Sequence, residues 1–98
     1  MTSCVDILKL LEQHRGKFRQ LGVRRLGLFG SAVRDQATDD SDLDFVVDFD
    51  QKSFDAYMDL KFFLEDTFGR SVDLVISDTI KPRLKDTILK ESIYVQGL

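Results

Sequence analysis

The stretch LFGSAVRDQATDDSDLDFVV, which occupies residues 28–47, decides the fold of this chain. It begins as a short apolar strand that stops at Gly30, and Ser31 then starts a turn or a helix. Glycine lets the backbone come close to a ligand, and a serine at a helix start offers its hydroxyl beside unpaired backbone N–H groups. Phosphate suits both features, so the stretch indicates a phosphate-binding corner.

The second half of the stretch opens a strand with two carboxylates. Residues i and i+2 share one face of a strand, so the side chains of Asp42 and Asp44 point the same way. Leu43 and Phe45 then point into the core. Two carboxylates on one face repel each other unless they are protonated or bridged by a cation. Alternatively, the pair only faces solvent on a half-exposed strand, although aspartate is depleted in strands.

A third carboxylate, Asp73, lies within the apolar run of residues 72–76, where a charge is costly unless it is paired or bound to a metal. If the Asp73 strand lies beside the strand that carries Asp42 and Asp44, three carboxylates converge on one spot. Such a cluster can hold two Mg²⁺ ions, the arrangement that nucleotide chemistry needs. The alternative is a lone strand aspartate that pairs with Arg70 or another base.

Arg34 lies about one turn beyond the glycine–serine corner, and it is a candidate cation for a triphosphate. A guanidinium group matches phosphate oxygens well, so Arg34 is predicted to join Gly30 and Ser31 in binding a nucleotide. A surface arginine that pairs with Asp35 or Asp39 explains the same residue equally well.

The size and composition of the chain limit its possible functions. Ninety-eight residues with 43% hydrophobic content supply one core, so we expect a single domain over residues 1–98. The single Cys4 cannot form an internal disulfide, and no apolar run is long enough to cross a bilayer. We therefore predict a cytoplasmic protein without a membrane partner. The net charge of −3 argues against nucleic acid as the main partner.

Hydrophobic periodicity predicts that helices alternate with strands. The predicted helices cover residues 3–21 (with a weak point at Gly16), 54–68 and 82–92. The predicted strands cover residues 24–29, 42–49 and 70–76, with a short edge strand at 93–95. This order indicates an α/β fold, a small mixed β-sheet of three to four strands flanked by about four helices.

Two of these helices make specific predictions about their faces. Leu84 and Ile88 should lie on the inner face of the last helix. The 54–68 helix has apolar residues on more than one stripe, so one side should stay apolar once the core is filled. That side predicts a homo- or hetero-oligomer through the 54–68 helix, unless both faces are buried. The apolar residues are Phe54, Tyr57, Met58, Leu60, Phe62, Phe63, Leu64 and Phe68.

Taken together, these motifs resemble those of the minimal nucleotidyltransferases of the DNA polymerase β-like superfamily. Members of that family are small proteins that are often paired with a HEPN-domain partner in prokaryotic toxin–antitoxin systems. The resemblance covers nearly the whole chain. It rests on FGSAxR at residues 29–34, SDLD at 41–44, VDLV at 72–75 and LxxxIxxE at 84–91.

The resemblance implies a role for each candidate residue. Gly30 and Ser31 would hold the nucleotide phosphates, and Asp42 and Asp44 would bind Mg²⁺. Asp73 would complete the metal site and help to activate the acceptor hydroxyl. The chain departs from the family at position 35, where aspartate stands in place of the usual glycine. A carboxylate so close to the triphosphate would weaken nucleotide binding or tilt the loop.

The implied activity is the transfer of a nucleoside monophosphate, AMP from ATP, to a hydroxyl of a partner protein. Two Mg²⁺ ions would be the cofactors, and a HEPN-domain toxin would be the partner. Two alternatives stay open at this point: an antitoxin that neutralises its partner by binding alone, and a module that senses nucleotide without transferring it. The sequence identifies no pocket that reads the base.

Overall fold

The computed structural model describes residues 3–34 and 42–98 of the chain. Its helices are α1 (Cys4–Gln13), α2 (Arg15–Gln20), α3 (Phe54–Phe68) and α4 (Pro82–Glu91). Its strands are β1 (Val23–Phe29), β2 (Leu43–Phe49), β3 (Val72–Ile76) and β4 (Ile93–Tyr94). Short 3₁₀ turns cover Gly30–Ala32 and Ser77–Thr79.

The four strands form one mixed sheet in the order β3-β2-β1-β4. β1 is antiparallel to both β2 and β4, whereas β2 and β3 run parallel. Parallel strands need a crossover connection, and α3 supplies it between β2 and β3. The predicted α/β fold, with a small mixed sheet and about four helices, is therefore confirmed.

The core lies between one face of the sheet and the first three helices. Alternate residues of β2 point into it, and all are nearly inaccessible to solvent: Leu43, Phe45, Val47 and Phe49. Leu60 and Leu64 of α3 and Phe18 of α2 pack against that face. Burial of each such side chain contributes about 1.5–3 kcal/mol. The residues between them in β2, including Asp44 and Asp48, lie on the opposite face.

The ends of α3 follow from local capping. The Ser53 side chain accepts a hydrogen bond from the Ala56 N–H at 3.0 Å, which caps the first turn. Gly69 ends the helix in the left-handed region, with φ of 63°. Both ends agree with the sequence prediction.

Helix α3 also contacts the outer edge of β3. The Tyr57 hydroxyl donates to the Leu74 carbonyl at 2.6 Å, and the Val72 N–H donates to the Glu65 carboxylate at 3.1 Å. These two bonds satisfy backbone groups of β3, the last strand of the sheet on this side.

Two details of the helices differ from the prediction. The helix predicted over residues 3–21 is two helices, and the break falls at His14 instead of Gly16. The His14 ring packs edge-on against Phe63, with ring centroids 5.2 Å apart. The prediction that Leu84 faces inward is wrong, because this side chain is 48% exposed and α4 contains no fully buried residue.

No helix in the described ranges combines the length and the apolar content that crossing a membrane requires. The single domain over residues 1–98 and the cytoplasmic location stay predictions.

Candidate active site

The parallel pairing of β2 and β3 sets Asp44 directly opposite Asp73. Residues opposite each other in neighbouring strands point to the same face, which here is the face away from the core. Their carboxyl groups lie within hydrogen-bonding reach of each other. The structure therefore brings together two of the three predicted carboxylates.

This arrangement raises the pKa of Asp44 above its ordinary value. The largest cause is partial burial, followed by the negative charge of Asp73 and then that of Asp42. The hydrogen bond that protonated Asp44 donates to the Asp73 carboxylate and the charge of Glu91 add to the same effect. A raised pKa means that the site binds a proton more readily than an isolated aspartate does, and a divalent cation relieves the same repulsion between carboxylates.

Asp42 lies one residue before β2 and is exposed. Its charge reaches Asp44, but Asp42 does not complete a three-ligand cluster with the pair. Across residues 3–34 and 42–98, no three His, Cys, Asp or Glu side chains are grouped closely enough to hold a metal ion. The described centre is thus an Asp44–Asp73 pair with Asp42 beside it.

Gly30 forms the corner that faces this pair. Its φ is 79°, in the left-handed region that glycine adopts without strain. A Cβ atom at this position would overlap the Oδ2 atom of Asp44 and stand 3.1 Å from its Cγ. The close approach of the backbone to the carboxylate therefore requires glycine. Ser31 follows in a 3₁₀ turn, which agrees with the predicted turn at this point.

Arg34 forms an ion pair with Glu91 at the end of α4. The partners considered from sequence, Asp35 and Asp39, lie outside the described residues. Glu91 is also one of the charges that raise the pKa of Asp44, so it belongs to the site. Sequence reasoning gave Glu91 no role, although it is the last residue of the LxxxIxxE motif at 84–91.

A separate polar cavity lies at the other end of the same sheet. It has a volume of about 670 Å³, and Ser77, Asp48 and Arg25 line part of it. The buried Ser77 hydroxyl donates to Asp48, and Arg25 Nη2 lies 2.7 Å from Asp48 Oδ2. Asp48 is four residues from Asp44, or about 13 Å along the strand. This network is internally paired and distinct from the carboxylate centre.

The comparison with known proteins identifies the family. A sequence model described as the nucleotidyltransferase domain matches residues 11–95. The chain belongs to this nucleotidyltransferase family. The match spans both the glycine–serine corner and the three aspartates, so the predicted resemblance is confirmed and the protein is a nucleotidyltransferase.

Individual relatives of this nucleotidyltransferase cover nearly its full length. It is 38% identical over 97 residues to the protein adenylyltransferase MntA of Thermococcus cleftensis, covering 97% of this chain and 98% of that one. It is similar to a solved structure described as a minimal nucleotidyltransferase, with a TM-score of 0.82 and 31% identity. That alignment covers 94% of this chain and 95% of the other.

A more distant solved structure shares the fold alone. It contains the MNT antitoxin of Shewanella oneidensis in complex with a tri-AMPylated HEPN toxin. The TM-score is 0.65 at 21% identity, covering 93% of this nucleotidyltransferase and 73% of the other chain.

Proposed function

We propose that this nucleotidyltransferase transfers AMP from ATP to a hydroxyl group of a HEPN-domain partner protein. The observation that carries the proposal is the Asp44–Asp73 pair, which faces the Gly30 corner and has a raised pKa at Asp44. Two comparisons support the chemistry and the partner: the Thermococcus cleftensis relative is named a protein adenylyltransferase, and the Shewanella oneidensis antitoxin is bound to an AMPylated HEPN toxin.

The donor set fits a divalent cation. Asp44 and Asp73 offer adjacent carboxylate oxygens, the ligands that Mg²⁺ prefers, and Asp42 adds a third carboxylate nearby. Asp44 and Asp73 would be the first ligands of Mg²⁺, and Asp42 would join them, as the proposed two-ion site requires, only by moving closer to the pair. When bound, Mg²⁺ neutralises charge on the phosphates and stabilises the charge that develops during transfer.

The glycine–serine corner positions the nucleotide. Gly30 lets the backbone lie against the site without a side chain, and the Ser31 hydroxyl and the N–H groups of the turn donate to phosphate oxygens. Arg34 contributes its guanidinium to the triphosphate, for which it must share or leave its contact with Glu91.

The transfer itself is a displacement at the α-phosphorus of ATP. Asp73 accepts the proton of the acceptor hydroxyl as that oxygen attacks the α-phosphorus in line. The new bond joins the acceptor oxygen to phosphorus, and the bond to the bridging oxygen breaks, so that pyrophosphate leaves with the electron pair. Most of the rate enhancement comes from positioning and electrostatic stabilisation.

Labelling tests the proposal directly. Incubation with α-labelled ATP, Mg²⁺ and the HEPN-domain protein encoded beside this chain should leave label on the partner. The double variant Asp42→Asn, Asp44→Asn should abolish labelling and keep the circular dichroism spectrum of the wild type. Asp50→Asn is the matched control, because it removes a carboxylate just beyond the far end of β2. It should keep full activity. Labelling that survives in the double variant overturns the mechanism.

A second candidate function is neutralisation by binding alone. The exposed aromatic side chains of α3 favour it, because they offer a contact surface that does not involve the carboxylates. Neutralisation of the partner by the Asp42→Asn, Asp44→Asn variant would support this function. A nucleotide sensor, in contrast, would bind ATP and release no pyrophosphate.

A further inference from the structure

The outer surface of α3 carries two different stripes side by side. Residues four apart lie on one side of a helix, and here they form an aromatic stripe that includes Phe54 and Phe62. Phe54 is 77% exposed and Phe62 is 58% exposed. Next to it runs an acidic stripe of exposed carboxylates. The aromatic stripe is Phe54 and Phe62 with the half-buried Met58 between them, and the acidic stripe is Asp55, Asp59 and Asp66.

Neither stripe contributes to the hydrophobic core. The buried residues of α3 are Leu60 and Leu64, which lie on the opposite side of the helix and have no exposed surface. Placing Phe54 and Phe62 in water forgoes about 1.5–3 kcal/mol each relative to burial. Large exposed apolar side chains grouped on one element are typical of an interaction surface.

A pocket at one end of the aromatic stripe makes this surface concave there. It has a volume of about 400 Å³ and is open to solvent beside Phe54. Such a volume accommodates one or two side chains of a partner. The lining residues are Lys52, Ser53, Phe54, Tyr57 and Ile76.

We propose that this face of α3 docks a protein partner that has an apolar groove and a basic rim. The groove would cover Phe54 and Phe62, and lysine or arginine side chains of the rim would meet the acidic stripe. The negative charge of the acidic stripe favours a partner with a positively charged surface over other kinds of partner. Nucleic acid and anionic membranes are both repelled by three adjacent carboxylates.

The same charges disfavour a second copy of this chain. A two-fold contact that packs α3 antiparallel on its own copy would bring the stripes of Asp55, Asp59 and Asp66 close to one another. Like charges that face each other across an interface cost several kcal/mol. We therefore expect a heteromeric interface.

The docking face and the carboxylate centre lie on opposite sides of the sheet. Leu74 and Val72 point toward α3, whereas Asp73, between them in the same strand, points away. A partner seated on α3 leaves Asp44 and Asp73 accessible. Binding and transfer are thus separable properties of this chain.

Identifying the docked partner as the HEPN-domain protein rests on the proposed function. The test measures the dissociation constant of this chain and its purified HEPN-domain neighbour by calorimetry, without ATP. Phe62→Ser should weaken binding at least about tenfold, as is usual for a central aromatic contact. Val5→Ser is the matched control, because Val5 is an apolar residue of another helix with the same 58% exposure. It should leave the dissociation constant unchanged.

A second variant tests the acidic stripe. Asp59→Lys should also weaken binding by about tenfold and should flatten the dependence of affinity on salt concentration. Circular dichroism checks that both variants stay folded. An unchanged dissociation constant in Phe62→Ser and Asp59→Lys overturns the proposal. The proposal is also overturned if sedimentation shows that the wild type is a homodimer and that Phe62→Ser dissociates this homodimer.

The same samples separate this inference from the proposed function. If no AMP reaches the partner but Phe62→Ser still weakens binding, the transfer proposal fails and the docking surface stands. If AMP is transferred and Phe62→Ser binds normally, the docking surface fails and the transfer proposal stands.

Discussion

Asp44 and Asp73 lie directly opposite each other in parallel neighbouring strands, with their carboxyl groups in hydrogen-bonding reach. Repulsion between two carboxylates so close together lowers the stability of the fold, and the same repulsion favours the binding of a cation. The pairing favours the binding of a proton or a divalent cation between β2 and β3, because either one reduces the repulsion between the carboxylates.

Replacement of Asp44 by asparagine should stabilise the fold at neutral pH. Burial and neighbouring carboxylates raise the pKa of Asp44, so the folded protein binds this proton more tightly than the unfolded chain does. The free energy of unfolding therefore falls as the pH rises from the ordinary value of 3.8 through the raised pKa. Thermal unfolding at pH 7 should give a higher Tm for Asp44→Asn than for the wild type.

The difference in Tm should disappear at about pH 3, where the carboxyl group is protonated in both states. Asp50→Asn removes an exposed carboxylate that pairs with Arg24 at 3.4 Å, and it should give no such gain. A lower Tm for Asp44→Asn at pH 7 would contradict the reported electrostatics of the pair.

Mg²⁺ should stabilise the wild type without any nucleotide present. A ligand that binds only the folded state at a hundredfold excess over its Kd adds about 2.7 kcal/mol. The gain should be lost in Asp44→Asn and in Asp73→Asn, and retained in Asp50→Asn. Differential scanning calorimetry across a Mg²⁺ titration measures it. Equal gains in all four proteins would show that Mg²⁺ acts away from the pair.

Gly30→Ala should damage both the corner and the activity. The new methyl group would overlap the Asp44 carboxylate, and φ of 79° is unfavourable for alanine. Strain of this kind costs about 1–3 kcal/mol, so denaturant unfolding should shift by that amount and AMP transfer should fall steeply.

Gly16→Ala is the control for the corner variant. Gly16 lies in α2 with no atom within 4 Å of an added Cβ, so alanine there should stabilise the helix by up to about 1 kcal/mol. If the two variants behaved alike, steric contact with Asp44 would not be the reason for glycine at position 30.

Glu91→Gln should strengthen ATP binding several-fold. The change removes a carboxylate close to Asp44 and releases Arg34 from its ion pair, and both effects favour a triphosphate. The cost to stability should stay below about 1 kcal/mol, since Arg34 is half-exposed and exposed pairs contribute little. Fluorescence titration with an ATP analogue gives the Kd. Weaker binding would mean that Glu91 instead holds Arg34 in its productive position.

The elements that carry local signals could be read from the sequence. The bounds of α3 follow from Ser53 and Gly69, each of which acts within its own turn. The β2 strand follows from alternation alone. Leu84 was misplaced because a helical repeat identifies residues that share a face and does not reveal whether anything covers that face.

The contacts within the site depend on strand order and on long separations in sequence. Asp44 meets Asp73 only because β3 pairs in parallel with β2 in one register, and a shift by one residue would turn Asp73 into the core. Arg34 and Glu91 are 57 residues apart, so no periodic pattern links them. From the sequence alone, the expected ion-pair partners of Arg34 are the nearby acids Asp35 and Asp39.

The bonds that Tyr57 and Glu65 make to β3 also make this edge of the sheet a poorer template for pairing with another chain. An outermost strand with open N–H and C=O groups is a template for fibril growth. Here the hydroxyl and the carboxylate from α3 already engage Leu74 and Val72. The strand that bears Asp73 is therefore less able to pair edge to edge with a strand of another molecule, even at high protein concentration.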